Sequence, residues 1–169
     1  MIKIIKMRQL LFTILIVCFC SCQDNSEKIS AAVVSARIEA SSIGVDIMKK
    51  GGNAFDAMVA TDLALSVCYP NAGNIGGGGF LVYRTKTGEV GSLDFREKAP
   101  SKAYEKMFIN PEGYIAKNKS TTGGLSVGVP GTVAGLFEVH DKLCSKPFED
   151  LIQPAIDLAR NGFIVTEKQ

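Results

Sequence analysis

Net charge is nearly missing from this 169-residue sequence: 19 Lys and Arg stand against 17 Asp and Glu. Lys3, Lys6 and Arg8 fall within the first 21 residues, which hold no acidic side chain, so the remainder carries 16 basic against 17 acidic groups. A body so evenly balanced has no electrostatic footprint for nucleic acid, and that class of partner is excluded. Histidine occurs once, as His140. With no serine or cysteine partner set by any motif, and with a place on the apolar stripe of a helix, it is expected to be a packed structural residue. Cysteine occurs five times, but Cys18, Cys20 and Cys22 crowd one N-terminal stretch without histidine partners, so no zinc site is expected there. Cys68 and Cys144 remain for the body, and spacing alone leaves open whether they pair.

Phosphate-binding motifs are also lacking. Residues 71–80 read NAGNIGGGGF, but a dinucleotide fingerprint would need a third glycine where Leu81 stands and a helix where a strand follows. A P-loop would need Lys-Ser/Thr after the glycines and finds Phe80. Two readings of the run survive: close backbone packing where a buried helix turns into a central strand, or a floor under a small substrate.

What is present has a clear order. A basic start and an apolar run from Leu10 to Phe19, too short to span a bilayer, predict a secretory signal over residues 1–21. Cys22 follows Ser21 and opens a polar stretch, a pattern that resembles a bacterial lipoprotein cleavage site with Cys22 as the lipidated first residue. Ordinary signal cleavage and an uncleaved anchor are the alternatives. Residues 22–30 read as a polar tether. Apolar spacing predicts a helix over 37–50 with Gly51 as its left-handed stop, then a second helix capped by Asn53 and apolar nearly all round. FLVYRT and EVGSLDFR flank TKTG and predict a hairpin that turns at Gly88. Pro130 and Gly131 open a third helix with a stripe of Val133, Leu136, Phe137, His140 and Leu143. A fourth covers about 148–159, with Pro154 expected to kink or divide it and Gly162 to stop it. Helices, then strands, then helices give an α+β fold with helices layered on a largely antiparallel sheet.

Five segments in order, GGNAFDAMVA, YPNAGNIGGGGFLVY, LDFREKAP, VGVPGTVAGL and QPAIDLARNGF, resemble the γ-glutamyltransferase (γ-glutamyl transpeptidase, glutathione hydrolase) family. The resemblance runs from about residue 29 to the end, and residues 31–169 look like the N-terminal part of that family's large subunit. It implies part of an N-terminal-nucleophile (Ntn) hydrolase αββα sandwich and no metal or organic cofactor. The implied substrates are γ-glutamyl compounds such as glutathione, cleaved through a threonine acyl-enzyme and passed to water or an amino acceptor. That threonine begins a small subunit cut from the same precursor and is expected beyond Gln169, so this chain alone is expected to hold no catalytic residue, to be inactive, and to leave sheet edges and apolar faces uncovered. Thr121 and Thr122 are read as loop residues.

The resemblance assigns one binding residue, Arg96 of LDFREKAP, to the α-carboxylate of the γ-glutamyl group. A guanidinium is always charged and can hold a carboxylate through two parallel hydrogen bonds. The competing reading of Arg96 is an internal ion pair with Asp94 or Glu97. With a family match in place, the glycine run is read as packing between the buried helix and the strand. Alternatives to the enzyme reading are a small amino-acid-binding lipoprotein without catalysis and a related cephalosporin or glutaryl acylase. The expected location is the cell envelope, with a membrane contact through the lipid.

Overall fold

A computed structural model describes residues 31–73, 75–167 and 169. The expected signal segment, Cys22 and the tether to residue 30 lie outside the described residues. Residues 33–169 form one compact unit.

The first helix, α1 (Ile38–Lys49), ends where Gly51 takes φ 84°, a conformation that a side chain would strain. The second, α2 (Ala54–Cys68), starts on a reciprocal cap. Asn53 Oδ1 accepts from the amides of Phe55 and Asp56 at 2.8 and 2.9 Å, and Asp56 Oδ2 accepts from the Asn53 amide at 2.6 Å. Because α2 is apolar around its circumference it sits in the middle of the helical layer, packed on three other helices. Val59, Ala60 and Ala64 are fully buried.

Asp56 does more than cap. Its carboxylate is completely buried and also accepts from Ser145 N at 2.9 Å, Ser145 Oγ at 2.6 Å and Lys146 N at 3.0 Å, across a separation of about ninety residues in sequence. Burial alone would raise this carboxyl. The hydrogen bonds from the Ser145 hydroxyl and from the amides of Asn53, Lys146 and Ser145 outweigh it and hold the group below the usual carboxylate range.

Strands β1 (Phe80–Arg84) and β2 (Val90–Asp94) form an antiparallel hairpin in which Phe80 faces Asp94 and Arg84 faces Val90. Gly88 turns it at φ 93°. The inner face lays Leu81 and Leu93 on the helical core, and Tyr83 meets Phe55 of α2 edge to face at 5.4 Å. The outer face shows Phe80, Val82 and Val90 to solvent, so the described residues build helices on one side of a sheet whose other side is bare.

Two helices follow, α3 (Thr132–Leu143) and α4 (Phe148–Asn161). The buried side of α3 is Thr132, Gly135, Leu136 and Val139, which corrects the expected stripe: Val133 and Phe137 are 45% and 46% exposed. The helix is rotated because Gly135 must lie against the Phe95 ring, where any Cβ would collide. His140 is packed as expected, its Nε2 3.0 Å from the Lys146 carbonyl and its ring edge-on to Phe148. Pro154 neither divides nor ends α4, which is one continuous helix. Asp150, whose carbonyl would have received the missing N–H, is exposed and can turn to water. Gly162 stops α4 at φ 80°.

Cys68 and Cys144 are both free thiols. Burial, with the Asp56 carboxylate beside it, pushes the Cys144 thiol up to about 12. Among the described residues no group of side chains could hold a metal ion, and no helix is long and apolar enough to cross a membrane.

Candidate substrate-binding site

The glycine run meets the strand exit that carries Arg96. Gly79 and Phe95 exchange backbone hydrogen bonds, with Phe95 N donating to Gly79 O at 3.0 Å and Gly79 N to Phe95 O at 3.4 Å. A Cβ on Gly78 would fall 2.7 Å from Arg96 Cα and 2.8 Å from Glu97 N. Gly77 O accepts from Gly131 N at 2.9 Å and from Thr132 N at 3.1 Å, which caps the start of α3 where no side chain does so. On the other flank, Lys98 and Val129 exchange backbone bonds at 3.1 and 2.8 Å. The expected packing of residues 76–79 between the buried helix and the strand holds on the strand side for Gly78 and Gly79 and is corrected for those two on the helix side. Gly73 touches α2 through Leu65, whereas Gly78 and Gly79 press on residues 95–97.

Backbone held so closely on both sides fixes where the Arg96 side chain begins. Arg96 N donates to Asp94 Oδ1 at 3.0 Å, and Asp94 pairs across the hairpin with Phe80. The Arg96 guanidinium carbon lies 5.5 Å from the centroid of the Phe80 ring, within cation–π range. The residue is exposed, and among the described residues its guanidinium forms no ion pair. The competing expectation, an internal ion pair with Asp94 or Glu97, is not what the structure contains: Asp94 serves the Arg96 backbone. A cleft of about 320 Å³ opens between residues 93–98 and the first half of α3, lined by Arg96, Lys98, Val129, Ala134 and Glu138 among others. Arg96 and Lys98 share it with the carboxylates of Asp94 and Glu138, and the Arg96 guanidinium, with no ion pair among the described residues, is free to take a carboxylate on a small molecule. A second cleft of about 340 Å³ between the end of α1 and α4 mixes Lys50 and Lys146 with Asp150 and Asp157, and none of its residues was expected at a site.

Phe80 and Asp94 were not expected at the site. Both could have been found by counting outward from the Gly88 turn, since the hairpin register sets Phe80 opposite Asp94 and alternation then puts Arg96 on Phe80's side. Thr121 and Thr122 lie in an exposed turn, each amide donating to the Asn118 carbonyl, in keeping with their reading as loop residues.

The solved structures that this one resembles include gamma-glutamyltranspeptidases and a cephalosporin acylase, and its helical layer and hairpin are part of the Ntn-hydrolase fold they share. The model of the gamma-glutamyltranspeptidase family matches residues 40–169, and the chain belongs to that family. It is 49% identical over 135 residues to the glutathione hydrolase proenzyme of Escherichia coli, covering 80% of this chain and 23% of that protein. With the glutathione hydrolase proenzyme of Pseudomonas sp. strain A14 the identity is 50% over 135 residues, covering 80% and 24%. The crystal structure of Helicobacter pylori gamma-glutamyltranspeptidase superposes with a TM-score of 0.79 at 47% identity, over 82% of this chain and 40% of that one. The chain thus spans about a quarter of the length of these curated relatives.

Proposed function

We propose that this chain supplies the N-terminal part of the large subunit of an enzyme that cleaves γ-glutamyl amides such as glutathione, and that Arg96 holds the α-carboxylate of the γ-glutamyl group. One observation carries the assignment: the Arg96 guanidinium lines a cleft and, although Asp94 and Glu138 line it too, forms no ion pair among the described residues. Two parallel hydrogen bonds from the planar guanidinium fix the donor at one end, which sets the place of its γ-carbonyl. A threonine at the start of a small subunit then attacks that carbonyl. Its hydroxyl proton passes to its own α-amine and on to the departing amine, leaving a γ-glutamyl ester. Water or an amino acceptor attacks the ester and frees the threonine. Glutathione as donor, and maturation from a proenzyme, are supported by the names of the relatives. On this reading the signal segment exports the chain and is removed, and a lipid on Cys22 then holds the enzyme in the cell envelope.

The test joins the full chain, residues 1–169, to the part of the Escherichia coli proenzyme beyond the matched segment, with the Pseudomonas relative as a second partner. The joined proenzyme is expected to cut itself into two subunits and to hydrolyse γ-glutamyl-p-nitroanilide. Absence of turnover from both joined proteins contradicts the proposal.

A further inference from the structure

The glycine run hands directly into Phe80, and Phe80 is an apolar ring left 65% exposed at the edge of the candidate site. Phe80 shares the bare outer face of the hairpin with Val82 and Val90, and it takes no part in the described core, which uses Leu81 and Leu93 from the opposite face. Among the described residues its one aromatic or cation–π partner is Arg96, whose guanidinium carbon is 5.5 Å from the ring centroid. The contact follows from register: Phe80 opposes Asp94, and Arg96, two residues beyond, leans back over the diagonal neighbour.

We propose that Phe80 is a positioning residue for substrate binding: its ring carries the Arg96 guanidinium and turns the donor edge of that group toward the incoming carboxylate. The inference rests on the reading of Arg96 as the carboxylate-binding residue. An arginine side chain has many rotamers, and ordering them on binding weakens affinity. A ring under the guanidinium removes part of that cost beforehand. It also leaves the in-plane N–H groups free, because the attraction of a cation to a ring uses the ring face and not the hydrogen-bond donors. Asp94 does not do this work: its Oδ1 accepts from the Arg96 amide at 3.0 Å, and it forms no ion pair with the guanidinium. No other aromatic ring among the described residues stands in cation–π contact with Arg96.

The joined proenzyme carries the test through four variants: Phe80→Leu, Phe80→Tyr, Arg96→Gln, and Phe80→Leu with Arg96→Gln. Phe80→Leu is expected to raise KM for γ-glutamyl-p-nitroanilide about fivefold, a loss of about 1 kcal/mol, with kcat unchanged within about twofold. Phe80→Tyr, which keeps the ring, is expected to stay within about twofold of the parent in KM. In the Arg96→Gln background, removal of the ring is expected to change KM by less than about twofold, because the group it carries has gone. Self-cleavage of each variant shows that it has folded. An unchanged KM for Phe80→Leu, or an equal rise with and without the guanidinium, overturns the role of Phe80 while leaving Arg96 in place. An unchanged KM for Arg96→Gln itself overturns the reading of Arg96 and this inference with it.

Discussion

The amide of Gly131 donates to the carbonyl of Gly77 at 2.9 Å, and that bond ties the glycine run to the first turn of α3. The Phe95–Arg96 backbone passes directly behind. A Cβ on Gly131 would collide with the Phe95 carbonyl oxygen and come within 2.9 Å of that of Arg96. Neither atom is the end of a flexible side chain, so the strain has nowhere to go.

Gly131→Ala is therefore expected to destabilise the protein by about 1–3 kcal/mol, the usual range for forcing atoms into packed space. Gly124→Ala makes the control, because nothing lies within 4 Å of its added carbon and its φ is not in the left-handed region. It is expected to stay within about 0.5 kcal/mol of the parent. Thermal unfolding of the two joined proenzymes compares them directly, and equal melting temperatures would contradict the close approach.

Asp56 gives a prediction in pH. Its folded-state pKa lies below the unfolded value, so its contribution is fully present above the unfolded pKa and is lost as pH falls through the folded one. Asp56→Asn replaces an acceptor of four hydrogen bonds by a group that turns an amine toward amide donors, at a cost of about 2–3 kcal/mol near neutral pH. The substitution should also flatten the loss of stability on acidification below about pH 4. Hydrogen exchange in the peptide containing Ser145 and Lys146 reads the effect locally. Exchange as slow as in the parent would show that the carboxylate does not hold this loop.

Several of these features were legible in the sequence and some were not, for identifiable reasons. Asn53 and Gly51 are local signals: a cap and a left-handed stop depend on neighbours a few residues away, and both stand where expected. The hairpin at Gly88 is local in the same sense. The rotation of α3 is not local. A stripe drawn through Val133 and Phe137 weighs apolar area, whereas the buried side is chosen by Gly135, which carries none and is needed only because the Phe95 ring lies against it. The glycine run misled in the same way, since its demand for bare backbone comes from residues 95–97 and not from the adjacent helix. At the site, Arg96 came from a motif, but its freedom from Asp94 and Glu97 and its contact with Phe80 depend on side-chain placement that no motif specifies.

The kinetics of Arg96→Lys in the joined proenzyme test the central claim most directly. A lysine keeps the charge but cannot offer the parallel pair of hydrogen bonds, so KM for γ-glutamyl-p-nitroanilide should rise about tenfold or more, with kcat within about threefold of the parent. A KM equal to that of the parent in a fully self-cleaved protein would contradict the account, because the guanidinium would then not be what holds the donor.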